Sequence, residues 1–384
     1  MADKKILQVC NTDFYLSKFL KPLILSLVEE GYDVHIATEG RGIPAEIAST
    51  CQIHQVEFPK KPSPGSFWKS IQSLRTIIRD HDFFCVNSHN RNASIVARIA
   101  AWLEHTPVNL YTAHGFYFHD DQSGPARFLT IAFEAMLARI TDYTLSQSQE
   151  DTDLMTKYRM INCSKIKTIG NGIDTRKFSV KKSRDELERR LSLNSGAFRI
   201  ACIGRIVAGK GFLDILQAFI KFISRGPAYK NSELLIIGGN IDADISPILK
   251  RVRKMIEEHN ISSRVTITGI VENVEDYLHA SDIFVSASYR EGISRAVLEA
   301  MCSGLPVVVT NIRGSREVVL DGVHGIVFDP KDICACEEAM VRLYENLDMR
   351  NRLGNSGREL VLGKYAQDAY VKRQLEVINK LCKI

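Results

Sequence analysis

The sequence has no long hydrophobic run. No apolar stretch approaches the roughly 18 residues that a transmembrane helix needs. The beginning, MADKKILQVCNTDF, turns polar after a short apolar segment, which is too short for a secretory signal peptide. We therefore expect no membrane span, and any contact with a membrane should be peripheral.

The sequence also lacks a concentration of charge of one sign. Fifty basic residues stand against 45 acidic ones, which gives a net charge of +5, and the excess is not gathered into a basic arm or block. Proteins that bind nucleic acid usually carry such a patch. Nucleic acid is therefore not expected as a partner.

Cysteine spacing of the kind found in disulfide frameworks and metal sites is missing as well. The nine cysteines are an odd number and lie mostly within apolar runs, as expected for reduced thiols in a core. The one close pair, Cys334 and Cys336, has no second pair nearby that could complete a metal site. The sequence thus predicts a reducing, cytoplasmic location and no metal ion.

What the chain does contain is a regular alternation of short apolar runs and helical patterns. Its 384 residues exceed the size at which one hydrophobic core stops growing, so we expect two domains. In the first half the predicted strands are KILQVCN, DVHIAT, FFCVNSH, VNLYTAH, YTLSQS and IKTIGNG. Strands that alternate with helices in this way predict parallel sheets of the α/β class.

A second alternating series follows a charged segment. Residues 174–197 are charged and almost free of strand signal, so a domain boundary is expected there. Beyond it the predicted strands are FRIACIGRI, ELLIIGG, RVTITG, DIFVSAS, PVVVT and GIVFD. The expected fold is α/β with two facing Rossmann-like domains, at 1–180 and 195–360. A helix within 361–384 is expected to pack back toward the first domain.

The stretch SYREGISRAVLEAMCSGLPVVV at 288–309 holds two glutamates, Glu291 and Glu299. The preceding SDIFVSAS is apolar enough for a buried parallel strand, and SRAVLEAMCSG is typical of a helix with Ser294 as its N-cap. The amides of Ile293, Ser294 and Arg295 would then face an anion beyond the carboxyl end of the strand. A phosphate fits there, and the two glutamates would accept hydrogen bonds from sugar hydroxyls. The alternative is that Glu299 pairs with a lysine on a solvated helix face while Glu291 lies on a loop without a ligand.

A second strand, loop and helix pattern lies at 202–219, in CIGRIVAGKGFLDILQAF. Arg205 and Lys210 flank its glycine-containing loop. Neither a Walker sequence nor GxGxxG is present, so no standard phosphate-binding loop is indicated. Two cations on one such loop can nevertheless neutralise a departing diphosphate, and this kind of stabilisation is often the largest catalytic contribution. The alternative is a solvated basic loop that binds nothing.

A third stretch, NLYTAHGFYFHDD, ends a predicted strand of the first domain at His114 and Gly115. Ligands bind beyond the carboxyl ends of parallel strands, so this position suits a binding residue. A lone histidine is also common in a core, where it serves only to make a hydrogen bond, and that alternative stays open.

Together these stretches resemble the retaining glycosyltransferases that include bacterial capsule, O-antigen and lipid-linked oligosaccharide enzymes and the phosphatidylinositol mannosyltransferases. The resemblance covers essentially the whole chain. Its most specific part is EGISRAVLEAMCSGLPVVVTNIRGSREVVLDGVHGIVFDP, in which a glutamate, seven residues and a glutamate are followed by GxP and DGxxG segments. The resemblance implies the glycosyltransferase-B fold, with the acceptor bound by the first domain, the nucleotide sugar by the second, and the active site in the cleft between them.

The resemblance also implies roles for individual residues. Glu291 corresponds to the carboxylate near the donor sugar, and His114 corresponds to a histidine that faces that sugar. Arg205 and Lys210 correspond to the pair that binds the donor diphosphate. The expected catalytic residues are therefore Glu291, His114, Lys210 and Arg205. The expected donor-binding residues are Glu299 for the ribose hydroxyls, Arg205 and Lys210, the helix start at Ile293, Ser294 and Arg295, and Gly269 and Ile270 for the base.

The implied reaction is transfer of a hexose or N-acetylhexosamine from a nucleotide sugar, UDP-linked in the most similar subgroup, with retention at the anomeric carbon. A double displacement needs a carboxylate nucleophile, whereas a front-face route needs only a stabilised ion pair. We favour the front-face route, in which the departing diphosphate accepts the proton of the acceptor. No metal or other cofactor is expected to be required. Asp242 and Asp244 resemble the aspartate pair of metal-dependent transferases, but helix capping is the preferred interpretation.

The expected acceptor is a sugar or a polyprenyl-diphosphate-linked glycan in bacterial surface polysaccharide or glycan assembly. GPARFLTIAFEAMLARIT at 124–141 predicts a helix with an apolar face that carries Arg127 and Arg139. If exposed, that face would rest on the inner side of the cytoplasmic membrane; otherwise it belongs to the core. Two alternative functions also stay open, namely a nucleotide-sugar epimerase on the same fold and a non-catalytic sugar-nucleotide-binding protein.

Overall fold

The computed structural model describes residues 5–40, 42–59, 63–116, 124–179, 182–239 and 247–382. The chain divides into two compact units. The first unit comprises Met1–Asn171 and Gln367–Ile384, and the second comprises Gly172–Ala366. Each unit is built around its own parallel sheet, with helices between successive strands. This architecture confirms the predicted α/β class.

The first unit contains a seven-stranded sheet. Its strands are β1 (Lys5–Val9), β2 (Asp33–Thr38), β3 (Gln52–Gln55), β4 (Cys85–Ser88), β5 (Val108–Ala113), β6 (Tyr143–Ser146) and β7 (Ile166–Thr168). Its first seven helices are α1 (Asp13–Tyr15), α2 (Lys21–Glu29), α3 (Ala45–Ala48), α4 (Pro64–His81), α5 (Arg91–Leu103), α6 (Gly124–Arg139) and α7 (Gln149–Lys157), and a π-helical segment joins α1 to α2 at Leu16–Leu20. The strand order is β3-β2-β1-β4-β5-β6-β7, so the direction of strand addition reverses between β1 and β4.

The second unit contains a six-stranded sheet. Its strands are β8 (Phe198–Ile203), β9 (Ser232–Ile237), β10 (Val265–Ile267), β11 (Ile283–Ser286), β12 (Val307–Thr310) and β13 (Gly325–Phe328). Its helices are α8 (Thr175–Ser179), α9 (Arg184–Arg190), α10 (Phe212–Ser224), α11 (Pro247–Glu258), α12 (Val274–His279), α13 (Arg295–Cys302), α14 (Arg313–Arg316), α15 (Ile333–Glu345) and α16 (Leu347–Lys364). The strand order is β10-β9-β8-β11-β12-β13, so the reversal here falls between β8 and β11.

The last helix, α17 (Gln367–Leu381), belongs to the first unit although it follows the second along the chain. Tyr370 and Ile378 of α17 are buried in the same hydrophobic cluster as Leu23 and Leu27 of α2. The first unit is therefore discontinuous, and the second is an insertion in it.

Helix α10 illustrates how sequence spacing produces this packing. Its apolar residues recur at intervals of three and four positions and form one face. The buried members are Phe212, Ile215, Leu216, Ala218, Phe219, Phe222 and Ile223. They pack against the sheet of the second unit and hold the start of α10 beside the end of β8.

A buried ion network is centred on Arg199, a residue of β8. Arg199 is 0% exposed, and its guanidinium donates hydrogen bonds to Glu188 at 2.7 Å and to Glu233 at 2.8 Å. Burial alone would raise the pKa of Glu188, but the guanidinium groups of Arg199 and Arg184 lower that pKa to about 2. Apart from Arg199, β8 is mostly apolar, as expected for a buried strand. The hydrophobic pattern of the sequence therefore gives no sign of this network.

All twelve predicted strands occur, but a thirteenth, β3, was not predicted. Its sequence, QIHQ, lacks the apolar run by which the other strands were recognised. Seven of the nine cysteines are buried and none forms a disulfide; Cys163 and Cys334 are exposed. Among the described helices, none has the length and hydropathy required to cross a bilayer. The pair Asp242 and Asp244 lies outside the described residues.

Candidate active site

Two loops meet where the strand order of the second unit reverses. We name them the β8 loop (204–211) and the β11 loop (287–294). Because β8 and β11 are parallel neighbours, both loops leave the sheet at its carboxyl edge. Open α/β sheets bind ligands beyond this edge at such a reversal.

An ion pair joins the two loops. The ammonium group of Lys210 donates a hydrogen bond to Oε1 of Glu291, and the hydroxyl of Ser288 donates to the same oxygen at 3.2 Å. The side chains of Lys210 and Glu291 are 25% and 19% exposed. The charges of this pair are therefore partly shielded from water, which strengthens their interaction relative to a surface pair.

Tyr289 fixes the separation of the two loops. Its amide donates to the carbonyl oxygen of Gly209 at 2.9 Å, and its hydroxyl donates to Asp214 at 2.8 Å. Burial and the neighbouring Asp214 carboxylate raise the pKa of Tyr289 to about 12, so the hydroxyl remains a donor. Gly211 lies so close to the β11 loop that a Cβ there would overlap the carbonyl oxygen of Ala287.

The backbone on the far side of the β11 loop is equally close. A Cβ added to Gly314 would overlap the carbonyl oxygen of Gly292 and lie 2.9 Å from that of Glu291. Helix α14, which begins at Arg313, thus supports the main chain that carries the Glu291 carboxylate.

Helix α13 begins at the end of the β11 loop. Ser294 occupies its predicted N-cap position, although the Ser294 side chain makes no capping hydrogen bond. Ile293 is 5% exposed and anchors the loop in the core. One turn into the helix, Oε1 of Glu299 lies 3.8 Å from Nε of Arg295, and the Glu299 side chain is 16% exposed. The Glu299 side chain is therefore partly buried and does not lie on a fully solvated helix face.

Other residues that are expected to bind the nucleotide sugar lie on the loops that follow β8 and β10. Arg205 is exposed on the β8 loop, and within the described residues its side chain forms no ion pair. Gly269 follows β10, has a positive φ of 70° and pairs through a β-bridge with Gly238. Ile270, beside it, is 59% exposed. These positions place cations and exposed backbone along the carboxyl edge of one sheet.

The first unit presents a polar cluster at its own carboxyl edge. His114 follows β5, and its Nε2 contacts the hydroxyl of Tyr15 and lies 3.3 Å from Nδ1 of His89. Nε2 of His89 in turn lies 2.9 Å from Oε1 of Gln8, which also accepts from Asn87 at 3.0 Å. His114 is therefore the outer member of a buried hydrogen-bond network rather than an isolated histidine.

Burial sets the charge of this cluster. It lowers the pKa of His114 to about 4, against a smaller opposing effect of Gln147, and lowers the pKa of His89 well below the usual range. Both imidazoles are neutral at neutral pH. A neutral His114 can exchange hydrogen bonds with a ligand but is a poor source of protons.

A cavity of about 810 Å³ adjoins His114 within the first unit. Its polar lining groups include Asn11, Asn90, Arg91 and His114, and the remaining wall is largely apolar. The apolar part is contributed mainly by Phe67, Ile71, Ile95, Ile99 and Phe133. This lining suits a ligand that has a polar and an apolar part.

Comparison with known proteins identifies the family. A family model described as glycosyl transferases group 1 matches residues 183–360, and a model described as glycosyltransferase family 4 matches residues 17–177. The chain belongs to this glycosyltransferase family. The enzyme class predicted from the sequence, a retaining glycosyltransferase, is confirmed by these matches.

Curated relatives of this glycosyltransferase include bacterial enzymes of glycan synthesis. UDP-Gal:alpha-D-GlcNAc-diphosphoundecaprenol alpha-1,3-galactosyltransferase of Escherichia coli is 28% identical over 296 residues, which cover 77% of this chain and 75% of that protein. The capsular polysaccharide biosynthesis glycosyltransferase CapM of Staphylococcus aureus is 26% identical over 350 residues, which cover 88% of each chain.

Solved structures show the same fold. A glycosyltransferase from Rickettsia africae ESF-5 matches with a TM-score of 0.80 at 19% identity, and the match covers 100% of both chains. Anabaena HepE, solved in complex with UDP and glucose, matches with a TM-score of 0.80 at 16% identity and covers 98% of this chain and 99% of that one. The predicted glycosyltransferase-B fold is confirmed.

Sequence reasoning missed several residues of this glycosyltransferase that hold side chains and loops in place at the carboxyl edges of the two sheets. Tyr289 and Asp214 were not predicted, nor were Tyr15, His89 and Gln8. A usable signal existed for two of them, because Gln8 interrupts the apolar run of β1 and His89 directly follows β4 at the strand reversal. Their contacts join residues far apart in the sequence, and a single sequence does not reveal such pairs.

Proposed function

We propose that the protein transfers a hexose or N-acetylhexosamine from a UDP-sugar to a sugar or polyprenyl-diphosphate-linked glycan, in the assembly of a bacterial surface glycan. The observation that supports it most is the pairing of Lys210 with Glu291 at the strand reversal, next to the start of α13. The E. coli relative is named for a UDP-galactose donor and a diphosphoundecaprenol-linked acceptor, and Anabaena HepE was solved with UDP and glucose. The name of the E. coli relative supports this choice of donor and acceptor, and the UDP bound to HepE supports the choice of nucleotide.

In the proposed complex the donor diphosphate binds Arg205, Lys210 and the amides at the start of α13 at Ile293, Ser294 and Arg295. Glu299 accepts hydrogen bonds from the ribose hydroxyls, and backbone groups of Gly269 and Ile270 contact the base. Lys210 is then shared between Glu291 and the diphosphate, so Glu291 keeps the cation in place before the donor arrives. This arrangement is the electrostatic preorganisation that stabilises a departing anion.

The proposed chemistry is a front-face displacement. The bond from the anomeric carbon to the diphosphate breaks, and a bond to the acceptor oxygen forms on the same face. The acceptor proton passes to an oxygen of the departing diphosphate, so atoms and charge balance without a metal. Glu291 stabilises the positive charge that develops on the sugar. His114, neutral because its pKa is about 4, exchanges hydrogen bonds with a sugar hydroxyl and positions the donor.

The acceptor part of the proposal is supported by helix α6 and the adjoining cavity. Phe128 and Leu129 are 69% and 68% exposed, and Met136 is 53% exposed. Large apolar side chains exposed together on one helix are typical of a surface that contacts a membrane or another apolar partner. We propose that α6 rests on the inner face of the cytoplasmic membrane, where a polyprenyl-linked acceptor is found.

Nucleotide binding tests the donor site directly. Calorimetric titration with UDP, GDP and ADP in the absence of divalent metal should give clear binding for UDP. Glu299→Ala should weaken it roughly tenfold or more, about 1.4 kcal/mol, whereas Glu359→Ala, an exposed glutamate of α16, should leave it unchanged. Equal binding by wild type and Glu299→Ala would contradict the proposed ribose contact.

Product analysis tests the reaction. Incubation with a UDP-sugar and a lipid-linked acceptor should yield a product whose anomeric configuration, measured by NMR, matches that of the donor. An isomerised donor sugar formed without acceptor would instead indicate an epimerase. Donor binding with no change of either substrate, across a panel of acceptors, would favour a non-catalytic binding protein.

Vesicle flotation tests the membrane contact. The protein should float with vesicles that contain anionic lipid, and Phe128→Ser with Leu129→Ser should reduce the bound fraction several-fold. Leu362→Ser replaces an exposed leucine of the second unit and serves as the control. If the protein did not bind the vesicles even at low salt, the proposed membrane contact would be refuted. The proposal for the nucleotide-sugar site would not be affected.

A further inference from the structure

Three histidines meet on one face of the sheet in the first unit. His35 lies on β2, His54 lies on the neighbouring edge strand β3, and His81 is the last residue of α4. In the parallel register His54 lies opposite Ala37, two residues beyond His35, so the two strand histidines project to the same side. We name these residues the histidine cluster.

The geometry of the histidine cluster is that of a ligand set. Within the described residues it is the one group of three or more metal-ligating side chains found, and its candidate ligand atoms all lie within 4.8 Å of one another. Nδ1 of His35 is 2.9 Å from Nε2 of His54. Tetrahedral zinc needs nitrogen ligands about 3.3 Å apart, given Zn–N distances near 2.0 Å. Small rotations of the rings would therefore reach ligand geometry.

A carboxylate orients the first imidazole. Oδ1 of Asp33 lies 3.3 Å from Nε2 of His35, on the side of the ring opposite His54. If Nε2 of His35 donates to Asp33, its Nδ1 is a lone pair directed at the cluster. A carboxylate that accepts from the far nitrogen of a ligating histidine is a recurrent feature of zinc sites.

We propose that His35, His54 and His81 bind a divalent transition-metal cation, Zn²⁺ in the first instance, with water as the fourth ligand. Three imidazoles with an open fourth position are typical of tetrahedral zinc. Mg²⁺ and Ca²⁺ prefer oxygen ligands, so a set of three histidine nitrogens disfavours both ions. His54 and His81 are only partly buried, so a cation can enter from solvent.

The protons balance without an external base. In the hydrogen bond between the two strand histidines, His54 donates from Nε2 to Nδ1 of His35. Metal binding requires that His54 carry its proton on Nδ1 instead, so the ring changes tautomer and no net proton is released.

The position of the cluster indicates a structural role. His81 ends α4 four residues before β4 begins, so it lies near the amino edge of the sheet, whereas His114 follows β5 at the carboxyl edge. The edge strand β3 has only four residues and, among the described strands, pairs only with β2. A bound cation would tie this short strand both to β2 and to the end of α4, and so stabilise the first unit.

Zinc binding to the full chain, without a polyhistidine tag, tests the proposal. Cys163 and Cys334 are first changed to serine, because exposed thiols bind zinc themselves. A titration against a chromophoric zinc chelator should then show one site. His54→Gln together with His81→Gln should weaken the affinity by roughly 100-fold or more, and Asp33→Asn should weaken it by about tenfold. His259→Gln, at an exposed histidine of the second unit, should have no effect.

Two further measurements guard against misfolding and adventitious binding. Cobalt substitution should give the visible absorption of a four-coordinate site in wild type and lose it in His54→Gln alone, with unchanged circular dichroism. Zinc should raise the thermal midpoint of wild type but not that of the double variant. Zinc affinity that is equal in the double variant and in His259→Gln would overturn the proposal, as would a six-coordinate cobalt spectrum. None of these readouts depends on glycosyl transfer, so they are independent of the proposed function.

Discussion

The ammonium group of Lys210 is hydrogen-bonded to the carboxylate of Glu291, although 81 positions separate them in the sequence. The contact spans the two loops that leave β8 and β11, the strands between which the sheet order reverses. Tyr289 holds the same two loops through Gly209 and Asp214. The strand order therefore brings a cation and an anion together at the edge where an α/β sheet binds its ligand.

Removal of the Lys210 charge should be costly for catalysis. Lys210→Met should lower kcat by about 100-fold or more, because one preorganised donor to a developing anion contributes on that scale. Lys250→Met, an exposed lysine of α11, is the matched control and should retain full activity. Steady-state kinetics with saturating donor measures the effect, and a kcat within threefold of wild type would contradict the proposed role.

The same ion pair predicts non-additive kinetics. Glu291→Gln should also reduce kcat, but the double variant with Lys210→Met should lose less than the product of the two separate losses. The reason is that each single change leaves the other charge without its partner. A double-mutant cycle on kcat/KM measures the coupling, and strictly multiplicative losses would show that the two residues act independently.

Close backbone packing at Gly314 should be essential to the β11 loop. Gly314→Ala places a methyl group against the carbonyl oxygens of Gly292 and Glu291, so the loop must shift. We expect at least a tenfold loss of kcat/KM and a destabilisation of about 1 to 3 kcal/mol. Gly363→Ala is the control, since that site on α16 is open and alanine favours the helix, so stability should rise slightly. Urea unfolding and kinetics measured on both variants separate the two effects.

The buried network under β8 predicts a large stability effect. Arg199→Met would leave Glu188 and Glu233 buried without their shared cation, and loss of one partner of a buried ion pair typically costs 3 to 5 kcal/mol, so a loss of about that size is expected. Arg251→Met, at an exposed position of α11, should change the free energy of unfolding by less than about 0.5 kcal/mol. Similar urea midpoints for the two variants would show that the network contributes little.

The lowered pKa of His114 predicts a dependence of stability on pH. The unfolded histidine binds a proton near pH 6.5, whereas the folded one does so only near pH 4. Its contribution to stability is therefore fully present above pH 6.5 and is lost as the pH falls toward 4. The neighbouring Tyr15, His89 and Gln147 face the same ring.

Comparison of wild type with His114→Gln isolates that contribution. The urea midpoint of wild type should fall more between pH 7.5 and pH 5 than the midpoint of the variant does. His105→Gln, at an exposed position where no such burial exists, should follow wild type. In the pH profile of kcat/KM, no ionisation of His114 should occur between pH 6 and 9; an inflection that disappears in His114→Gln would contradict the assignment.

The sequence was most informative where local pattern determines structure. Continuous apolar runs located twelve strands, because strands buried on both faces of a parallel sheet need such runs. Strand β3 was missed because QIHQ lies at the edge of the sheet, where burial is incomplete and an apolar run is not needed. Without that strand, nothing in the sequence placed His54 beside His35 and His81. The positions of Glu291 and Lys210 could be expected at strand ends, but their direct contact depends on strand order. Strand order is a non-local property that neither stretch contains alone.

The placement of α17 has a consequence for synthesis on the ribosome. Because the ribosome makes the chain from its amino end, the whole second unit is synthesised after the first part of the first unit and before α17, which completes it. Until Tyr370 and Ile378 emerge, the groove along α2 that they fill remains open to water. The second unit can therefore complete its folding first, and the first unit must wait with an unfinished core, a period during which chaperones would have most to protect.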